Sequence, residues 1–122
     1  MNKKILIIED DTHLRPIYEE KLGEAGFTVF WEETGEAALE VAKKEQPCLI
    51  LLDLLLAGNM NGYDVIKKLK ADPDTAKLRI LILTNIGADG KTAEDVGAIG
   101  YMVKTNVSLK EIVDKVNECT ES

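Results

Sequence analysis

The stretch KILIIEDD, at residues 4–11, decides the fold class of this sequence. It is a short apolar run without polar alternation, and it is followed at once by acidic residues. Similar runs recur at residues 27–31, 49–52, 80–83 and, less strongly apolar, 99–103. Continuous apolar runs of this length are typical of strands that are covered by other elements on both faces. These runs therefore predict a buried parallel sheet.

Segments with helical periodicity separate the apolar runs. The predicted strands begin near residues 4, 27, 48, 79 and 99, and each interval has room for one crossover helix. Thr34 is placed to cap one helix, and Pro47 lies beyond its end. Four sets of apolar residues have the spacing of a helix face: Leu14, Ile17, Tyr18 and Leu22; Ala37, Ala38, Val41 and Ala42; Val65, Ile66 and Leu69; Ile112, Val113 and Val116. Right-handed crossovers place these helices on both faces, which predicts a doubly wound α/β fold.

Length and composition exclude several classes of protein. The 122 residues suffice for one domain, and the formal net charge of −7 opposes direct binding to nucleic acid or to an anionic membrane. Cys48 and Cys119 are too few and too far apart for a disulfide framework, so we expect reduced thiols. No apolar run has the length of a signal peptide or a membrane span. We therefore expect a soluble, cytoplasmic protein.

The residues that end the predicted strands indicate a chemical site. Because the carboxyl ends of parallel strands meet at one edge, the acids of residues 9–11, Asp53, Thr84 and Lys104 converge there. Clustered carboxylates repel one another unless they are protonated or a cation lies among them, and oxygen ligands suit Mg²⁺. A carboxylate beside such an ion can also attack a phosphoryl group. The pattern predicts a magnesium-dependent phosphoryl-transfer site.

These strand ends also carry a resemblance to a known family. The matching segments are residues 4–11, Leu51-Leu52-Asp53, Leu83-Thr84 and Gly100 to Lys104. Together they resemble the receiver domain of two-component response regulators, in particular a stand-alone, chemotaxis-regulator-like member. The resemblance covers essentially the whole chain, as a single receiver domain over residues 1–122. It implies a flavodoxin-like, three-layer sandwich with five parallel strands in the order 2-1-3-4-5.

The resemblance implies a role for each metal-site residue. Asp53 would be the phosphoacceptor. Asp10 would bind Mg²⁺ directly, and Glu9 would bind it through water. Asp53 and the backbone carbonyl of Leu55 would complete the protein's share of the coordination. Asp11 is the less favoured ligand of the acidic triplet.

The resemblance assigns three further residues to signalling. Thr84 would be the switch hydroxyl, Lys104 the amine that contacts the phosphoryl group, and Tyr101 the switch aromatic residue. A sensor histidine kinase or a phosphotransfer protein would donate the phosphoryl group. Phosphorylation would then change the surface formed by the fifth strand and its neighbouring helices, which a downstream protein would recognise. The chain would catalyse only its own phosphorylation and dephosphorylation, as a monomer or weak dimer, and any output would be docking or would lie beyond Ser122.

The sequence departs from the family pattern at several positions. Ala57 stands where the family usually has Pro, and the following glycine, Gly62, comes one residue late, which predicts a longer and looser loop. Thr105 replaces the Pro that usually follows the lysine, so we expect a trans peptide bond at Lys104–Thr105. A glycine-rich segment beginning near Gly87 and Gly90 predicts a marginal and mobile fourth helix.

These departures leave alternative interpretations open. One is a receiver-fold interaction module with weak or no phosphorylation. Another is a phosphatase of the haloacid dehalogenase type, although that family has a second Asp where Leu55 stands. Individual residues also have plainer roles: Asp10 and Asp11 as first-turn acids of a helix opening near Thr12, and Tyr101 as a core residue. Trp31 is expected to pack at the rim of the second strand.

Overall fold

A computed structural model describes residues 2–56, 58–85 and 95–120 of the chain. Its sheet contains β1 (Lys4–Ile8), β2 (Thr28–Glu32), β3 (Leu49–Leu52), β4 (Ile80–Thr84) and β5 (Gly100–Val103). All neighbouring strands pair in parallel, in the order β2-β1-β3-β4-β5. This order and the flanking helices confirm the predicted doubly wound fold. Each strand begins within one residue of its predicted start.

The helices that flank the sheet are α1 (Arg15–Glu24), α2 (Gly35–Glu45), α3 (Gly62–Ala71) and α4 (Leu109–Thr120). Thr34 caps α2 as predicted, because its side chain accepts a hydrogen bond from the amide of Ala37 at 3.3 Å. Helix α1 begins later than the sequence indicated. The Asp11 carboxylate accepts a hydrogen bond from the amide of His13 at 3.1 Å, which forms a turn before the helix instead of a cap on it.

The core forms two apolar layers, one on each face of the sheet. Alternate residues of the three central strands contribute to opposite layers, so that Leu6 and Ile50 pack on the side of α2 and α3. Ile7 and Leu51 pack with residues of α1 and α4 on the other side. A central strand must therefore be apolar at every position, which explains why the sequence showed runs without alternation.

The loop between β3 and α3 is anchored more firmly than the sequence indicated. The side chains of Leu54 and Leu56 are buried, and Met60 packs against the core layer beside α2 and α3. The amide of Gly62 donates a hydrogen bond to the carbonyl of Leu54 at 3.0 Å. The prediction of a loose loop is therefore wrong for the described residues, because apolar side chains on both sides of residue 57 insert into the core.

Three further predictions concern the Lys104–Thr105 peptide bond, the fourth helix and membrane-spanning segments. The peptide bonds of the described residues are all trans, which confirms the trans bond predicted at Lys104–Thr105. Gly87 and Gly90, with most of the helix predicted there, lie outside the described residues. None of the helices in the described part of the chain is long and apolar enough to cross a membrane.

Candidate functional site

The predicted site residues lie at the carboxyl edge of the sheet, where β1, β3, β4 and β5 end. Backbone hydrogen bonds extend the strand pairing past the last strand residues and hold two of the acids in place. The amide of Asp53 donates to the carbonyl of Ile8 at 3.0 Å, and the amide of Glu9 donates to the carbonyl of Glu32 at 3.0 Å. The acidic residues therefore lie on a rigid part of the sheet rather than on free loops.

Asp53 is the centre of the site's hydrogen bonds. Its Oδ1 accepts hydrogen bonds from the amide of Leu55 at 3.0 Å and from the hydroxyl of Thr84 at 2.9 Å. Its Oδ2 accepts a hydrogen bond from Nζ of Lys104 at 3.1 Å. Neutral donors thus hold one oxygen of the carboxylate, and an ammonium group holds the other. This arrangement fixes the orientation of a carboxylate that is only 7% exposed.

Glu9, Asp10 and Asp53 form a cluster of carboxylates. One oxygen of each residue lies within 4.8 Å of the others. Glu9 is 3% exposed; its Oε2 accepts a hydrogen bond from the amide of Asp11 at 3.1 Å, and its Oε1 contacts Nζ of Lys104. Three carboxylates and one ammonium leave an excess of negative charge at a partly buried place. This all-oxygen donor set fits a small divalent cation such as Mg²⁺.

Burial changes the proton affinities of the central acid and base. The pKa of Asp53 is raised, mainly because burial disfavours the charged carboxylate and also because Asp10 is a nearby negative charge. The hydrogen bonds from Leu55 and Thr84 oppose this rise. Burial lowers the pKa of Lys104. The protein therefore holds both groups at an electrostatic cost, which is typical of a functional site.

The structure brings five of the predicted residues into direct proximity: Glu9, Asp10, Asp53, Thr84 and Lys104. Leu55 contributes its amide to Asp53, and its side chain is 56% exposed, while the predicted role of its carbonyl stays a prediction. Tyr101 lies half-buried on β5, paired with Ile82, and packs against the core layer beside α2 and α3. Its predicted switch role also stays a prediction.

One residue near the site was not predicted to belong to it. Tyr18 of α1 lines a small cavity beneath the acidic cluster, together with Glu9, Asp53 and Lys104. The sequence indicated only that Tyr18 lies on the apolar face of its helix. The available signal was its hydroxyl, because a buried phenol generally needs a hydrogen-bond partner and an apolar core does not supply one.

Fold and site together define a class of protein: a doubly wound α/β domain with a carboxylate cluster, a hydroxyl and a lysine around one buried Asp at the carboxyl edge of its sheet. The family model of the response regulator receiver domain matches residues 5–117. The chain belongs to this family, whose members act as phosphoacceptor switches in two-component signalling.

Individual relatives agree with this membership. Sporulation initiation phosphotransferase F of Bacillus subtilis is 32% identical over 120 residues, which cover 97% of this chain and 94% of that protein. The "Probable transcriptional regulator ycf27" of Porphyridium aerugineum is 34% identical over 114 residues, 93% of this chain, and the chain spans only 46% of its length. The BeF3-activated N-terminal receiver domain of Klebsiella pneumoniae RstA superposes with a TM-score of 0.85 at 26% identity, covering 98% of this chain and 99% of that one.

Proposed function

We propose that Asp53 is the residue that accepts the phosphoryl group. The observation that carries this proposal is the set of contacts around its carboxylate, where Thr84 and Lys104 each hold one oxygen beside the cluster of Glu9 and Asp10. A carboxylate oxygen of Asp53 attacks phosphorus, a new O–P bond forms, and the N–P bond of a donor phosphohistidine breaks. The electron pair of that bond remains on the imidazole nitrogen of the donor.

Glu9, Asp10 and Asp53, with the backbone carbonyl of Leu55, would hold Mg²⁺. When bound, the ion neutralises negative charge on the phosphoryl oxygens and on the clustered carboxylates. Lys104 keeps its ammonium at Asp53 before the reaction and then pairs with a phosphoryl oxygen. Because Lys104 is partly buried beside the acids, this electrostatic contribution is stronger than at a fully solvent-exposed position.

Thr84 and Tyr101 would transmit the phosphorylated state. The hydroxyl of Thr84 donates to Asp53 at 2.9 Å, and it would donate instead to a phosphoryl oxygen once Asp53 is modified. Thr84 pairs with Val103 on β5, two residues after Tyr101 on the same strand. A shift of Thr84 toward the phosphoryl group would therefore reach β5 through the sheet, and Tyr101 would move inward with it.

The family indicates the proposed partners. A sensor histidine kinase or a phosphotransfer protein would donate the phosphoryl group, and a downstream protein would recognise the changed surface, both in the cytoplasm. The net charge of −7 supports a protein target over direct contact with nucleic acid. The chain would act on no substrate except its own acyl phosphate, and it would work as a monomer or weak dimer.

An intact-mass experiment tests the proposal. Incubation with acetyl phosphate and Mg²⁺ should add one phosphoryl group to the wild-type chain and none to Asp53→Asn. Asp114→Asn is a matched control, because it removes an exposed carboxylate of α4 far from Asp53 in sequence and should leave the mass increase intact. A mass increase that persists in Asp53→Asn would overturn the assignment.

The alternative, an interaction module without phosphorylation, rests on the substitutions at Ala57 and Thr105. The trans bond at Lys104–Thr105 still permits the contact between Lys104 and Asp53, which favours the phosphoacceptor over the module. A wild-type chain that binds no Mg²⁺ and takes up no phosphoryl group would favour the module. The exposed side chain of Leu55 stands where a haloacid dehalogenase-type phosphatase would need its second acid.

A further inference from the structure

A small cavity lies beneath the acidic cluster, on the face of the sheet that α1 covers. Its volume is about 10 Å³, which is room for a single water molecule. Its wall contains apolar residues such as Ile7, Leu51 and Leu83. The polar residues of the wall are Glu9, Tyr18, Asp53 and Lys104. A water molecule in a cavity of this size is stable when two to four polar groups surround it. This cavity has the volume for one water molecule and polar residues around it.

Tyr18 is the member of this wall whose hydroxyl lacks an assigned role. The residue is 6% exposed, and its ring packs edge-on against Trp31, with centroids 6.2 Å apart and planes at 69°. No group in residues 2–56, 58–85 or 95–120 hydrogen-bonds directly to its hydroxyl. Burial is the main cause that raises the pKa of Tyr18, and the negative charges of Asp11 and Asp53 raise it further. The phenol therefore lies within the electric field of the acidic site.

We propose that Tyr18 is a positioning residue of the acidic site, acting through one water molecule in this cavity. The hydroxyl of Tyr18 donates to the water, and the water donates to the carboxylates of Glu9 and Asp53. The inference rests on the proposed role of Asp53 as phosphoacceptor and extends it to a residue on a helix that supplies no other member of the site.

The proposed water molecule affects Glu9 when Lys104 changes its partner. In the structure its ammonium contacts both Glu9 and Asp53, and Oε1 of Glu9, which is buried, has no other charged partner in the described residues. When Lys104 turns toward a phosphoryl oxygen, Oε1 of Glu9 loses its ammonium donor. The cation proposed at this site would offset the charge of Glu9, but a buried acceptor that loses its hydrogen-bond donor is still costly. The Tyr18-bound water supplies that donor. Tyr18 therefore affects the rate of phosphoryl transfer and not the affinity for the phosphodonor.

Two measurements test this inference. A crystal structure of the wild-type chain should contain an ordered water within hydrogen-bond distance of the Tyr18 hydroxyl and of Glu9 or Asp53. In phosphorylation by acetyl phosphate at saturating Mg²⁺, Tyr18→Phe should lower the maximal rate about 10-fold and leave KM for acetyl phosphate unchanged. Tyr63→Phe is the matched control, because it removes the hydroxyl of a more exposed tyrosine on α3 and should change neither value.

The two readouts separate this inference from the proposed function. A wild-type chain that takes up no phosphoryl group would overturn the phosphoacceptor assignment, while the water position in the crystal would still decide the contact of Tyr18. A dry cavity, or a Tyr18→Phe chain that is phosphorylated at the wild-type rate, would overturn the inference. A fall in rate with a matching rise in KM would also contradict it, because a positioning role predicts a change in rate alone.

Discussion

The hydroxyl of Thr84, the last residue of β4, donates a hydrogen bond of 2.9 Å to Oδ1 of Asp53, which directly follows β3. Both side chains are buried, so the bond forms in a region of low dielectric. It links the residue proposed to be chemically modified with the strand that pairs with β5. The proposed switch therefore needs no distant contact, because its first step is the exchange of one hydrogen-bond acceptor.

Replacing Thr84 with valine tests the strength of this link. Valine keeps the shape of the side chain and leaves Asp53 without one of its neutral donors, so we expect the free energy of unfolding to fall by about 1 to 3 kcal/mol. Urea denaturation at neutral pH measures the change. Thr84→Ser should restore most of the loss, and Thr28→Val, at an exposed position of β2, should have little effect. Equal stability of the Thr84→Val and wild-type chains would show that the bond contributes nothing.

Gly62 permits the close approach of α3 to Asp53. A Cβ atom at this position would lie 2.5 Å from Cα of Leu54 and 2.6 Å from the carbonyl oxygen of Asp53, and backbone atoms cannot move aside as a flexible side chain can. We expect Gly62→Ala to destabilise the protein by about 1 to 3 kcal/mol and to slow phosphorylation, because Asp53 must shift.

Gly23→Ala is the matched control for this substitution. A Cβ atom there would have no neighbour within 4 Å, and Gly23 lies inside α1. Alanine favours a helix over glycine, so this variant should gain about 0.5 to 1 kcal/mol. Thermal denaturation of both variants distinguishes a steric effect at Gly62 from a general effect of glycine. Similar shifts in the two variants would contradict the close approach.

Mg²⁺ should stabilise the folded chain. A ligand that binds only the folded state adds about 2.7 kcal/mol at 100 times its dissociation constant, and thermal unfolding at increasing Mg²⁺ measures this gain. Asp10→Asn should abolish most of the gain, because it removes one carboxylate of the cluster. Asp11→Asn should keep it, since Asp11 lies outside that cluster. Equal losses in the two variants would refute the assignment of the cation site.

The thiols of Cys48 and Cys119 should react slowly in the folded protein. Burial is the main cause that raises the pKa of each thiol, so less thiolate is present at pH 8 than in an unfolded chain. Alkylation by iodoacetamide should therefore reach its half-maximal rate at a higher pH in the folded protein than in urea. Identical pH profiles in the two states would contradict this expectation.

Trp31 should report on the occupancy of the site, although it lies on β2. It is the only tryptophan of the chain, and its ring contacts Tyr18, which lines the cavity beneath the acidic cluster. Adding Mg²⁺ and beryllofluoride should change the Trp31 fluorescence of the wild-type chain and of Tyr18→Phe. The change should be smaller in Tyr18→Leu, which lacks the aromatic contact. A full response in Tyr18→Leu would show that the fluorescence change of Trp31 does not depend on its contact with Tyr18.

The sequence predicted the sheet well because its central strands are buried on both faces. That burial requires apolar residues at every position, and the carboxyl-edge rule then located the acids of residues 9–11, Asp53, Thr84 and Lys104 without any knowledge of side-chain contacts. The resemblance to the receiver family supplied the strand order. These predictions depended on residue patterns along the chain, which can be recognised in the sequence without knowledge of tertiary contacts.

Other features depend on tertiary packing and could not be predicted in this way. Trp31 was expected to pack at the rim of β2, and the extent of its burial depends on α1, which places Tyr18 against its ring. Helix α1 begins at Arg15 because the Asp11 turn competes with an earlier start. The loop after Asp53 is anchored because Leu54 and Leu56 insert into the core, and an extra residue in the sequence gave no sign of this.

Reductive trapping of the phosphorylated chain tests the central claim most directly. Borohydride converts an aspartyl phosphate to homoserine, so peptide mass spectrometry after treatment with acetyl phosphate and Mg²⁺ locates the modified residue. The account predicts homoserine at position 53, and none in Asp53→Asn or in a wild-type sample without the phosphodonor. Homoserine at Asp10 or Asp11, or its absence from position 53 of the treated wild-type chain, would contradict the assignment of Asp53 as the phosphoacceptor.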